Sequence, residues 1–149
     1  MTPEEKPLVE VISFEDLSEL MSSDKNTLFV FNFWATWCKP CVEEMPSFTK
    51  IADKYADEDL EIIFVSLDFF SNLEKKVIPF VKDNEIKSKV VLLNERDPNS
   101  WIPKVSEEWS GAIPGTLFIN NAKNIRAFHE KTFTFEELDT IISSLIAEK

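Results

Sequence analysis

The stretch Thr27-Leu-Phe-Val-Phe-Asn-Phe-Trp-Ala-Thr-Trp-Cys-Lys-Pro-Cys41 changes character along its length. Thr27 to Phe33 is rich in β-formers, almost continuously apolar, and preceded by the polar Asp24-Lys25-Asn26, so it reads as a strand buried on both faces. From about Lys39 the period becomes helical. Val42, Met45, Phe48, Ile51, Ala52 and Tyr55 recur at spacings of three and four, with Glu43, Glu44, Lys50 and Lys54 mostly between them. Pro46 inside this helix removes one backbone donor and crowds the carbonyl four residues back, which predicts a kink rather than a break. Cys38 and Cys41 therefore sit where a strand hands over to a helix, among unpaired N–H groups carrying partial positive charge.

The rest of the chain extends the alternation. Leu8 to Ile12 is an apolar stretch of undecided type. Ser13 with Asp16 starts a helix whose apolar face is Phe14, Leu17, Leu20 and Met21, ending near Ser23. Leu60 to Leu67 and Lys89 to Leu93 read as strands, Leu73 to Asn84 as a helix despite Pro79, and Ser100 to Trp109 as a short helix presenting Trp101, Ile102, Val105 and Trp109. Gly115 to Asn120 and Asn124 to Phe128 form a hairpin around Asn120-Asn121-Ala122-Lys123. Thr134 with Glu137 caps a last helix carrying Phe135, Leu138, Ile141, Ile142, Leu145 and Ile146 on one face. The class expected is α/β, a mixed central sheet with helices on both faces. With no repeat, no Gly/Ser linker and only Gly111 and Gly115, residues 1–149 are expected to be one domain, with 1–7 a disordered tail.

A chain of 149 residues with four tryptophans and thirteen phenylalanines can build one core. Its net charge of −11 argues against nucleic acid or an anionic membrane as partner. There is no apolar run long enough for a transmembrane helix, and Met1 to Pro7 is too acidic and short for a signal peptide. The compartment stays open: extracytoplasmic if an export signal is missing from this chain, cytoplasmic if Met1 is the native start.

Two cysteines are too few for a disulfide scaffold, and a bridge between positions 38 and 41 closes too short a loop to constrain the unfolded chain much. With His129 as the lone histidine, they cannot make a four-ligand structural zinc site by themselves. Redox chemistry is the leading reading. A thiol at a helix N-terminus is stabilised as thiolate, the form that attacks disulfides, which makes Cys38 the nucleophile; Cys41, one turn on, resolves the mixed disulfide. Pro40 suits a first helical turn, and Lys39 adds positive charge beside the thiolate. Asp68 is assigned to a turn or cap, Trp101 and Trp109 to packing, and Trp34 to the core.

Phe33-Trp-Ala-Thr-Trp-Cys-Lys-Pro-Cys41 with Glu43-Glu44-Met45-Pro46 resembles the thioredoxin superfamily and, within it, the TlpA/ResA-like thiol-disulfide oxidoreductases. A second anchor is Trp109-Ser-Gly-Ala-Ile-Pro-Gly-Thr-Leu-Phe-Ile119, which is similar to the loop and strand bearing that family's cis-proline. The resemblance implies a cis Pro114, with the Ile113 backbone set against the dithiol to pair with an extended substrate. It also implies that Trp37 covers Cys38 and lines a substrate groove, and that Glu44 matches the buried glutamate exchanging a proton with the resolving sulfur. Cytosolic-type thioredoxins carry a buried Asp six residues before the first cysteine; Asn32 stands here and cannot shuttle a proton. Gly115, in place of a frequent Thr, is expected to open space beside the disulfide.

The implied protein is a monomeric protein-disulfide reductase. It needs no dissociable cofactor beyond the redox-active Cys38–Cys41 pair, acts on disulfide-bearing proteins, and is recharged by a thiol electron donor in or near a membrane, outside the cytoplasm. Two alternatives keep the fold: Cu(I) binding by Cys38 and Cys41 with His129 as third ligand, and an interaction domain with a vestigial dithiol. A thiol peroxidase fits less well, because the sequence places no activating Arg near the pair.

Overall fold

The computed structural model describes residues 7–148, and the expected tail lies outside them except for Pro7. The chain forms β1 (Glu10–Ile12), α1 (Phe14–Met21), β2 (Leu28–Trp34), α2 (Lys39–Lys54), β3 (Leu60–Ser66), α3 (Ile78–Asp83), β4 (Lys89–Leu93), α4 (Pro98–Val105), β5 (Gly115–Asn120), β6 (Ile125–His129) and α5 (Phe135–Ala147). The strands make one sheet in the order β1-β4-β3-β2-β5-β6. β1, β4, β3 and β2 run parallel, whereas β5 is antiparallel to both β2 and β6. The sheet is mixed, as the alternation of elements requires.

β2 is one of the inner strands, and all seven of its residues are buried. Pleating sends its side chains alternately to two cores. Val30 and Trp34 join Cys41, Met45, Phe48, Ile51, Val81, Leu138 and Ile142 under α2, α3 and α5. Phe29, Phe31 and Phe33 join Leu17, Met21, Trp101, Val105 and Trp109 under α1 and α4. The continuous apolar run of β2 follows from this two-sided cover.

Local chemistry sets the helix ends. Ser13 and Thr134 each close a reciprocal capping box, with Asp16 and Glu137. α2 runs unbroken through Pro46.

Two expectations need correction. The segment from Leu73 opens as a π-helical turn to Val77 before α3 begins, which places Pro79 in the first turn of α3, where a missing N–H is tolerated. α4 runs from Pro98 to Val105 rather than from Ser100 to Trp109, because Asp97 accepts from the Asn99 N–H with Pro98 at the first helical position, and the backbone at Ser106 is extended. Trp109 lies beyond the helix yet is buried, its ring 4.7 Å from Phe33 and its Nε1 donating to the Ala112 carbonyl at 2.7 Å.

Candidate active site

β2 ends at Trp34, and four residues later Cys38 is the N-cap of α2, in extended conformation. Its Sγ accepts from the Cys41 N–H at 3.3 Å. That contact is the helix-terminus stabilisation expected for a thiolate at this position. Pro40 occupies the first turn and contributes no donor. The two sulfurs are joined in a disulfide; both residues are buried, and Cys38, at 5 %, keeps the pair's only residual exposure. Lys39 stands in solvent opposite Glu43 at 3.9 Å.

The second loop at this edge brings the Ile113 carbonyl to 3.8 Å from Cys38 Sγ. The Ile113–Pro114 peptide is cis, and Gly115 immediately after it begins β5, in register with Phe33. Gly115 does not open space. A Cβ there would stand 2.8 Å from Phe128 Cζ and 3.3 Å from the Trp109 indole, so aromatic rings fill the volume a side chain would need.

Glu44 lies one turn beyond Cys41 and is 2 % exposed. Its carboxylate accepts from Asn32 Nδ2 at 3.0 Å and from the Phe133 N–H at 2.9 Å. Burial pushes its pKa up from the ordinary 4.5 to about 7, with the two hydrogen bonds pulling the other way. A carboxyl poised near neutrality can both accept and return a proton. Glu43, its neighbour, is solvated.

Asn32 is more than a missing aspartate. It is buried, donates also to Thr116 Oγ1 at 3.2 Å, and links β2 and β5 to the carboxyl on α2; its own Oδ1 makes no hydrogen bond within the described residues. The sequence signal for this was an amide inside an apolar run, since a buried amide needs partners. Asp68 is likewise a tie. It is buried, and its carboxylate accepts from the Thr36 N–H at 3.0 Å, the Thr36 hydroxyl at 2.6 Å and the Ser66 hydroxyl at 2.7 Å. The loop after β3 is thereby fixed to the loop that carries Cys38.

Trp37 is 64 % exposed at this edge and Trp34 is fully buried. His129 is not brought to the cysteines; its ring packs edge-on to Phe118 and Phe133. Among the described residues no three His, Cys, Asp or Glu side chains converge as a metal site would require, so the Cu(I) set of Cys38, Cys41 and His129 is not assembled. No helix among them is long and apolar enough to cross a membrane. Sequence reasoning missed Phe69 and Phe70, exposed just after Asp68.

Comparison with known proteins places this geometry among relatives. The AhpC/TSA family description matches residues 11–128. The chain is 30 % identical over 115 residues to the thioredoxin-like protein YneN of Bacillus subtilis (strain 168), covering 77 % of this chain and 63 % of that protein. It is 28 % identical over 120 residues to the thiol-disulfide oxidoreductase ResA of Oceanobacillus iheyensis, covering 80 % and 58 %. The chain thus spans roughly three fifths of the length of these curated relatives. Among solved structures, StoA from Bacillus subtilis is similar with a TM-score of 0.57 and 25 % identity, covering 78 % of this chain and 82 % of that one. A thioredoxin-related protein from Neisseria meningitidis serogroup B shares the fold with a TM-score of 0.70 at 22 % identity, covering 87 % and 91 %.

Proposed function

The chain belongs to the AhpC/TSA family, and from that premise we propose that it is a thiol-disulfide oxidoreductase that reduces disulfides in other proteins. The observation that carries this reading is the placement of Cys38: the N-cap sulfur of α2, in the more exposed residue of the pair, bonded to Cys41 and faced by the Ile113 carbonyl. Relatives named as thiol-disulfide oxidoreductases support it.

In the reducing direction the Cys38 thiolate attacks one sulfur of the substrate disulfide. A Cys38–substrate disulfide forms, and the second substrate sulfur leaves as thiolate and takes a proton from solvent. Cys41 gives its proton to the Glu44 carboxylate and attacks Cys38 Sγ, forming the Cys38–Cys41 bond. The first substrate sulfur leaves and is protonated. Two electrons pass from the dithiol to the substrate disulfide, and an external thiol donor restores the pair. No dissociable cofactor enters these steps. Ile113 offers its backbone to an extended substrate, and Trp37 and the exposed Lys39-Pro40 edge flank the reacting sulfur. We place the protein outside the cytoplasm, as a monomer, with a membrane-linked donor.

Equilibration of the protein in graded thiol/disulfide buffers tests the direction. A midpoint near the thioredoxin end of the range, about −270 mV, supports a reductase; one near −120 mV reverses the direction. A Cys41→Ala variant should accumulate a mixed disulfide through Cys38. If neither a Cys38–Cys41 bridge nor that adduct forms, the exchange reading fails.

A further inference from the structure

The same edge of the sheet carries a feature that the exchange steps leave unused. A cavity of about 540 Å³ opens where β3 and β4 end, with Phe69 and Phe70 on its rim and Trp101, Ile102 and Gly111 in its lining. The two phenylalanines are 76 % and 55 % exposed, in a chain that has otherwise buried most of its large apolar side chains. With Trp37 they make three of the five large hydrophobic residues exposed among the described residues, all three in the segments that follow β2 and β3 at the edge that carries Cys38. Exposed aromatics gathered beside a reacting atom mark a contact surface rather than chance.

The backbone that carries these rings is held in place. The Phe69 carbonyl accepts from the Asn72 N–H at 2.9 Å in a short 3-10 turn. Asp68, immediately before it, lines the cavity and also holds the Thr36 N–H, two residues before Cys38. On the other side Gly111, with φ +100°, lines the cavity two residues before Ile113, whose carbonyl faces Cys38 Sγ at 3.8 Å. The cavity thus adjoins both backbone segments that flank the sulfur.

Its lining fixes what it accepts. The lining is mixed: Phe69, Phe70, Trp101 and Ile102 suit a large apolar side chain, and the polar Asp68, Glu95 and Arg96 stand beside them. The Trp101 indole N–H is buried and makes no hydrogen bond within the described residues, so this side chain offers the cavity apolar ring surface rather than a donor. Arg96, also in the lining, forms no ion pair within the described residues and offers its guanidinium donors to a carbonyl or carboxylate. An apolar side chain beside an exposed carbonyl is what an extended polypeptide presents. Such a chain advances about 3.3 Å per residue, so two or three residues from a cysteine seated on Cys38 it has moved about 7–10 Å.

We propose that this cavity is the specificity subsite for the disulfide-bearing polypeptide, taking a large apolar side chain two or three residues from the target cysteine between Phe69, Phe70 and Trp101. The proposal rests on the exchange reading and adds a selection for unfolded or extended substrates with apolar residues beside the cysteine.

The test uses the reduced protein and two synthetic peptides, each with one cysteine capped as a glutathione mixed disulfide. One peptide has phenylalanine at two and three residues on both sides of the cysteine; the other has serine there. The expected KM is about tenfold lower for the phenylalanine peptide, the effect of burying roughly half an aromatic side chain. Phe69→Ser/Phe70→Ser should abolish that preference while leaving turnover of glutathione disulfide unchanged. Equal KM values for the two peptides with the unaltered protein, or a preference that survives in the double variant, overturn the subsite. If the unaltered protein reduces neither peptide nor glutathione disulfide, the exchange reading falls and the subsite falls with it.

Discussion

Replacing Glu44 by Gln should change how the stability of the protein depends on pH. Glu44 titrates near pH 7 in the fold and near its ordinary 4.5 when unfolded. Between those values the folded state binds a proton that the unfolded state releases. Its contribution is therefore fully present below about pH 4.5 and is lost as pH rises through about 7. At about 1.4 kcal/mol per pH unit, the rise from 4.5 to about 7 amounts to about 3 kcal/mol. The group is 2 % exposed, so solvent screening does little to reduce this. Gln matches the shape, keeps an oxygen for the Phe133 N–H, and can donate to Asn32 once that amide turns its unpaired Oδ1 toward it. The assay is denaturant unfolding of the oxidised protein, followed by tryptophan fluorescence, from pH 4.5 to 8.5. The unaltered protein should lose about 3 kcal/mol relative to Glu44→Gln across that window, with the steepest change midway between the two values and a plateau above about pH 7. Parallel stability curves for the two proteins would show that Glu44 does not titrate in the fold near neutral pH, and the proton-transfer role would lose its basis.

Three further outcomes are expected. Asp68→Ala strands the Thr36 N–H and hydroxyl and the Ser66 hydroxyl, and should cost about 2–4 kcal/mol in chemical denaturation while slowing disulfide exchange; a loss under about 0.5 kcal/mol would mean the tie between the two loops is not needed. Gly115→Ala sets a methyl 2.8 Å from Phe128 Cζ and should cost about 1–3 kcal/mol by thermal melting, whereas an unchanged melting temperature would mean the rings yield freely. Thr134→Ala removes the capping oxygen that accepts from the Glu137 N–H and should cost about 1 kcal/mol; a neutral result would assign the start of α5 to packing alone.

Legibility in the sequence tracked how local the deciding force is. β2 and α2 were readable because burial on both faces leaves an unbroken apolar run and burial on one face leaves a period. The Ser13 and Thr134 caps were readable because their partners lie three residues away. The end of α4 was not, since Trp109 stands in helical phase with Trp101 and Val105, yet its burial comes from Phe33 on β2 and Phe128 on β6. β1, three residues long, is too short to show a period and takes its form from pairing with β4. At the site, the cysteines announced their chemistry by spacing. The setting of Glu44 depended on Asn32 and Phe133, which the sequence places 12 and 89 residues away, and the space at Gly115 was misjudged because Trp109 and Phe128 reach it only once the loop after α4 and the β5–β6 hairpin have folded.

The pairing of Phe33 with Gly115 also sets a timetable for the newborn chain. At 5–20 residues per second, the roughly 75 residues between Cys38 and β5 take on the order of 4–15 s to synthesise. β1 to β4 can assemble from what has already emerged, but the Ile113 loop cannot close over the dithiol until its own strand arrives. Until then Cys38 lacks the Ile113 backbone that faces it in the finished fold. The chain thus delivers its reactive pair before the loop that faces it, and the arrival of β5 completes that side of the site.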